Sequence, residues 1–215
     1  MFRRLYLVFE LVALLTVLFC FDKIKKTAYK YFAPYLAFVL IYEVGSIENW
    51  FVIDHKNLWI SNITLDIFFV FYSVFLTQLI RSIKFKGWIK YIIILSILFS
   101  IINTIFIQGF WELNTITILI QFVILIALAC FYFYELMLQP NYVFNIASGP
   151  GFWMSTGVLF FCLTEFLFYS AFAYMAYEKN YTHYDIVQLV LSNIANAILY
   201  SCLTISFLCI QKMKC

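Results

Sequence analysis

Charged side chains are scarce in this sequence: they make up 12% of its 215 residues, whereas soluble domains carry about 25%. Hydrophobic residues account for 65% of the chain. So few polar side chains cannot cover a surface that faces water. The composition therefore excludes an ordinary soluble domain and predicts an all-α protein whose main solvent is the lipid bilayer.

Glycine, proline and histidine are also rare, with 6, 3 and 2 residues. No glycine-rich or proline-rich linker divides the chain, so we expect a single integral membrane domain over residues 1–215. Two histidines without His-x-x-x-His spacing predict no metal site and no cofactor. No Gly-x-Ser-x-Gly elbow and no phosphate-binding glycine loop occurs, so we predict no catalytic residues and no enzymatic activity.

Two further absences restrict the partners and the redox chemistry. The net charge is only +3 and no arm rich in lysine and arginine is present, so we expect no nucleic-acid partner. The six cysteines show no Cys-x-x-Cys spacing, and we interpret them as small buried hydrophobic residues.

Apolar runs fill most of the chain, and about 20 apolar residues suffice for a helix to cross a bilayer. The second run is interrupted by Glu43 and Gly45. Gly149, Pro150 and Gly151 predict a loop from Asn141 to Gly151, after which the next helix begins at Phe152 or Trp153. We predict a polytopic bundle of seven transmembrane helices, at residues 5–21, 31–47, 58–80, 89–108, 114–137, 153–176 and 186–210. No small-x-small cleavage site follows the first run, so we expect it to be retained.

The orientation of this bundle follows from the distribution of lysine and arginine between the loops. An N-out and C-in arrangement places ten basic residues inside and four outside, although Arg3 and Arg4 alone would favour the opposite. Removing the second run would place Lys23–Lys30 with the acidic outer loops, so we retain seven spans. The inner residues are Lys23, Lys25, Lys26, Lys30, Arg81, Lys84, Lys86, Lys90, Lys212 and Lys214, and the outer ones are Arg3, Arg4, Lys56 and Lys179.

Three carboxylates lie at least five residues from either end of a predicted span: Glu10, Asp66 and Glu165. A charge at the centre of a bilayer costs at least about 2.5–3.5 kcal/mol, and no lysine or arginine lies at a comparable depth to compensate for it. Each carboxyl group must therefore be protonated, hydrogen-bonded, hydrated in a cavity or paired with a bound cation.

The polar residues of six helices fall at similar predicted depths, between roughly 8 and 18 Å from a helix end at 1.5 Å per residue. The last helix presents three of them at i, i+3 and i+7, which share one face. Three interpretations stay open: hydrogen bonds that hold helices together, an outward-facing pocket for a ligand or cation, or an ion pathway. The candidate pocket residues are Glu10, Asp66, Asn103, Gln121, Glu165, Asn193, Asn196 and Tyr200.

Three stretches carry a resemblance to a known group: Gly149–Gly157 (Gly-Pro-Gly-Phe-Trp-Met-Ser-Thr-Gly), Asn193–Tyr200 (Asn-Ile-Ala-Asn-Ala-Ile-Leu-Tyr) and Phe207–Cys209 (Phe-Leu-Cys). In these stretches the chain resembles small multi-helix membrane proteins of Bacteroidota-type bacteria, which are similar to the seven-helix sensing modules of membrane histidine kinases without the kinase. The resemblance implies a signalling or accessory role and names no ligand.

Together these observations predict a non-enzymatic sensor or accessory signalling subunit in the cell membrane, of the bacterial inner-membrane type. We expect a cytoplasmic signalling partner to contact the basic segments Lys23–Lys30 and Arg81–Lys90, whose charge also suits topology and anionic lipid. The alternatives are a small channel or transporter that uses the intramembrane carboxylates, a lipid-processing enzyme with those groups as acid and base, and a membrane effector of a bacterial defence system.

Overall fold

The computed structural model describes residues 5–53, 57–138, 146–178 and 184–212. Within these ranges the chain forms eight α-helices, one of them only four residues long, and no β-sheet. They are α1 (Leu5–Phe19), α2 (Phe21–Ile24), α3 (Phe32–Ile47), α4 (Leu58–Leu79), α5 (Ile83–Ile102), α6 (Thr115–Met137), α7 (Pro150–Glu178) and α8 (Tyr184–Lys212).

Five of these helices are long and apolar enough to cross a membrane. They are α4, α5 with its π-helical extension Asn103–Ile107, α6, α7 and α8, which coincide with the last five predicted runs. Helices α1 and α3 have 15 and 16 residues, and at 1.5 Å per residue they reach only about 22–24 Å. This architecture supports a helical membrane protein, while the count of seven spans and the orientation stay predictions.

Two predicted helix starts are corrected by the structure. Helix α7 begins at Pro150, not at Phe152 or Trp153, because proline fits the first helical position, where an N–H has no intrahelical partner. The indole N–H of Trp153 donates to the carbonyl of Ala147 at 2.7 Å and holds the preceding 3₁₀ turn. Helix α5 begins at Ile83 and not at 89, because the apolar stems of lysines extend a helix beyond its apolar run.

The helices pack in a continuous series of neighbours. Helix α7 packs along α8 and α6, α8 packs against α1, α1 packs on α3, and α4 packs on α5 and α6. The α7–α8 contact is very close, since a Cβ atom at Gly157 would lie 2.8 Å from the Cβ of Cys202. Between α3 and α4, one contact is made by the rings of Tyr35 and Phe71, which stack at 3.8 Å.

Aromatic side chains fill the end of the bundle at which α3 begins and α4 ends. Phe32 is fully buried, and its ring centroid lies 4.9 Å from Phe71, 4.9 Å from Phe75 and 5.5 Å from Phe207. Tyr29 adds an edge-on contact with Phe75 at 4.7 Å. We call these five residues the aromatic floor, because their rings pack together at this end of the bundle.

Candidate ligand-binding cavity

A cavity of about 630 Å³ lies between α3, α4, α7 and α8. Ser46 and Asn57 line it where the chain passes from α3 to α4, and Tyr35 and Tyr72 line it at the far end, next to the aromatic floor. From Asn57 to Tyr72 its wall extends about 22 Å along α4 at 1.5 Å per residue. Its volume falls in the range of small-molecule pockets, about 300–1,000 Å³.

Two carboxylates face this cavity, Glu43 from α3 and Glu165 from α7. The hydroxyl of Tyr6 donates to Oε2 of Glu43 at 2.7 Å. Ser192 lies within hydrogen-bonding reach of Glu165, whose side chain is 5% exposed. Among the described residues that line the cavity there is no lysine, arginine or histidine, so its ionisable character is acidic.

Helix α8 contributes two amide side chains, each of which donates one hydrogen bond within the helix. Nδ2 of Asn193 donates to the carbonyl of Leu189 at 2.5 Å, and Nδ2 of Asn196 donates to the carbonyl of Ser192 at 2.9 Å. An amide nitrogen carries two N–H groups, so in each side chain a second N–H and the amide oxygen take no part in these bonds. Within the described part of the chain, the buried Oδ1 of Asn193 has no hydrogen-bond partner.

Aromatic rings form much of the remaining wall. A ring can pack against apolar groups through its face, and a tyrosine also offers a hydroxyl. The aromatic lining consists of Tyr6, Tyr35, Tyr42, Phe68, Tyr72, Phe122, Phe161, Tyr169 and Tyr200.

A second polar cluster joins α4, α5 and α6 and lies outside the cavity lining. Asp66 accepts hydrogen bonds from Oγ of Ser100 at 2.7 Å and from Nε2 of Gln121 at 2.6 Å. Nδ2 of Asn103 donates to Oγ1 of Thr117 at 2.9 Å and to Oε1 of Gln108 at 2.7 Å. These bonds cross-link three helices, as interhelical hydrogen bonds do in membrane bundles.

Glu10 is neither among the described residues that line the cavity nor in the second polar cluster, although it lies close to the cavity wall. Its side chain has 0% exposure, and both carboxyl oxygens are without a hydrogen-bond partner in the described ranges. It lies within electrostatic range of Glu43 and of Tyr200. A charged carboxylate buried without hydrogen bonds has a large desolvation cost. For Glu10, protonation or pairing with a cation would remove that cost.

The predicted polar layer thus separates into two clusters. Of the eight predicted residues, Glu165, Asn193, Asn196 and Tyr200 line the cavity. Asp66, Asn103 and Gln121 lie in the cluster between α4, α5 and α6. Glu10 is buried next to the cavity, within electrostatic range of Glu43 and Tyr200, but is not among the described residues that line it.

Sequence reasoning missed Glu43 as a cavity residue, together with Tyr6 and Ser192. Glu43 was interpreted as an interruption of the second apolar run. The cost of a carboxylate among apolar residues, which singled out Asp66, applies equally to Glu43 and would have identified it. Tyr6 and Ser192 carry no such signal, because hydroxyl groups are common in buried helices.

The two basic segments lie at the end of the bundle opposite the α3–α4 connection. Lys23 donates to the main-chain carbonyl of Gln211 near the end of α8 at 2.5 Å. The carboxylate of Glu135 accepts from the main-chain N–H groups of Arg81 and Ser82, at 2.7 and 3.1 Å, just before α5 begins. Each basic segment is therefore hydrogen-bonded to another helix near that helix's end.

Asp22 and Lys25, which lie outside the long helices, form an ion pair at 2.7 Å. The hydrogen bond and the charge of Lys25 lower the pKa of Asp22. His55 and His183 lie outside the described residues, as do Arg3, Arg4, Lys56, Lys179 and Lys214. In the described ranges no group of three or more histidine, cysteine, aspartate or glutamate residues is arranged to hold a metal.

The sequence matches no protein-family model, no curated protein and no solved structure.

Proposed function

We propose that this chain is a non-enzymatic multi-pass membrane protein that binds a small molecule in the cavity and acts as a sensor or accessory signalling subunit. The observation that carries the proposal is a cavity of about 630 Å³ with one end at the α3–α4 connection and the other next to the aromatic floor. A cavity that ends at packed aromatic rings suits a binding site better than a path across a bilayer.

The proposed topology is seven spans, N-out and C-in, in a cell membrane of the bacterial inner-membrane type. It rests on the excess of lysine and arginine in the inner segments. In this topology the α3–α4 connection faces outward, so the cavity receives ligand from outside the cell. The segments Lys23–Lys30 and Arg81–Lys90 then face the cytoplasm, where they contact anionic lipid and a signalling partner.

Thiol labelling tests the access and the orientation together. Ser61 lines the cavity in the first turns of α4, and Ser61→Cys places a thiol there. We expect a membrane-impermeant maleimide to label this variant in intact cells more than the wild-type chain, which controls for the native cysteines. Ser73→Cys is the matched control, because Ser73 lies on the same helix with 0% exposure. Labelling of Ser61→Cys only in inverted vesicles would contradict the proposed topology.

A transporter is the second candidate, and Glu43 and Glu165 in the cavity wall favour it, since intramembrane carboxylates mark proton and ion pathways. Reconstituted proteoliposomes separate the two functions. For a sensor, we expect proton and small-cation flux no higher than in protein-free liposomes at any pH between about 5 and 8. A pH-dependent flux that Glu165→Gln abolishes would support the transporter instead.

A further inference from the structure

We infer that the ligand of this cavity is an organic ammonium ion, held by Glu43 and Glu165 and enclosed by aromatic rings; this inference rests on the binding function proposed above. Two independent properties of the lining point to the same chemistry: its charge and its rings. The size of the cavity adds a third restriction.

The charge of the lining is acidic on two sides. Glu43 and Glu165 enter from α3 and from α7, and the described lining holds no basic side chain. An anionic ligand would meet two carboxylates without a compensating cation, which is unfavourable in a site of low dielectric. A cation between two carboxylates satisfies both, and hydrogen bonds from an ammonium group to carboxylates are among the stronger ones in proteins.

The rings of the wall suit the cation itself. Tyrosine and phenylalanine faces attract a cation within about 6 Å of the ring centroid, and such rings recognise alkylammonium and quaternary ammonium ligands. Tyr42, Tyr169 and Tyr200 enter the lining from α3, α7 and α8, so rings from both carboxylate-bearing helices and from α8 face the same cavity. An anion would gain less from such a wall, because the face of an aromatic ring is electronegative.

The volume separates an organic cation from a metal ion. A cavity of about 630 Å³ is far larger than a bare ion with its ligands, whose coordination distances are only about 2.0–2.6 Å. The described residues also form no cluster of three or more metal-ligating side chains. A drug-sized or metabolite-sized amine fits this space without requiring the helices to close on it.

Matched pairs of probes test the inference on the full chain in lipid nanodiscs by isothermal titration calorimetry. Phenethylamine is compared with 2-phenylethanol, and choline with its neutral isostere 3,3-dimethylbutan-1-ol. We expect at least one of the two cations to bind at least about tenfold more tightly than its neutral partner. In Glu165→Gln and, separately, in Glu43→Gln, we expect this preference to fall at least about threefold.

Asp66→Asn is the matched control, because it removes a carboxyl group at a similar depth on α4 but outside the cavity lining. We expect it to keep the preference for the cation. Two glutamate variants on different helices keep the test decisive if one of them does not fold. Equal affinity for cation and isostere, no binding of either cation, or a preference that survives both glutamate variants would overturn the inference. External labelling of Ser61→Cys does not depend on the charge of the ligand, so it tests the outward access on which the proposed function rests separately from this inference.

Discussion

The close contact between α7 and α8 makes Gly157 a position where one methyl group has a large effect. The Cβ atom of an alanine there would lie 2.8 Å from the Cβ of Cys202 and 3.3 Å from the carbonyl oxygen of Leu199. Carbon atoms in contact are ordinarily about 3.5–4.0 Å apart. Neither neighbouring atom can rotate away, because one is a main-chain atom and the other is bonded directly to the main chain. The two helices must therefore separate.

We expect the Gly157→Ala substitution to cost about 1–3 kcal/mol through overpacking. Alanine gains about 1 kcal/mol in helix propensity over glycine, so the net loss in the free energy of unfolding is up to about 2 kcal/mol. Gly87→Ala is the matched control, because Gly87 lies inside α5 and its added Cβ meets nothing within 4 Å. That variant gains the propensity without the clash, so the difference between the two variants isolates the steric cost.

Equilibrium unfolding by sodium dodecyl sulfate in mixed micelles, followed by far-ultraviolet circular dichroism, measures both free energies. We expect Gly87→Ala to unfold at the wild-type detergent fraction or above it, and Gly157→Ala below it. Adding Cys202→Gly to Gly157→Ala removes the clashing Cβ atom. We therefore expect the double variant to be more stable than the sum of the two single changes in unfolding free energy predicts. Equal shifts for Gly157→Ala and Gly87→Ala would refute the close packing of α7 on α8.

Two further predictions concern groups outside the cavity. Gln121→Leu removes the donor to Asp66 at 2.6 Å, so we expect the free energy of unfolding to fall by about 1–3 kcal/mol. The affinity for phenethylamine should stay unchanged, and a fall in that affinity would show that the second polar cluster and the cavity are coupled. Glu135→Ala removes the acceptor of the Arg81 and Ser82 N–H groups, so we expect the free energy of unfolding to fall by about 0.5–2 kcal/mol, as for a lost helix cap. Hydrogen exchange at these two amides should become faster, and unchanged exchange would contradict the capping role of Glu135.

The helical class and the five long helices follow from the sequence alone. Long apolar runs with so little charge leave a helix as the way to satisfy every main-chain polar group in lipid. The helical period also fixed which residues of one helix share a face. Asn193, Asn196 and Tyr200 were predicted to lie together on this ground, and all three line the cavity.

Helix starts were predicted less well, for a physical reason. Pro150 reads as a loop residue in the sequence, although its missing N–H suits the first turn of α7. The first turns of α5 carry lysines, which interrupt an apolar run but leave the helix intact. An apolar run in the sequence therefore predicts the middle of a helix better than its ends.

Only the tertiary structure decided which polar groups meet. Depth along a helix follows from counting residues, but the rotation of each helix about its axis and the choice of neighbours depend on packing between helices. Asp66 and Glu165 were predicted at comparable depths, yet α4 directs Asp66 to Gln121 on α6, whereas α7 directs Glu165 into the cavity beside Ser192. The sequence therefore determined that polar groups lie at similar depths. The packing of side chains between helices decided which of these groups cross-link α4, α5 and α6 and which line the cavity.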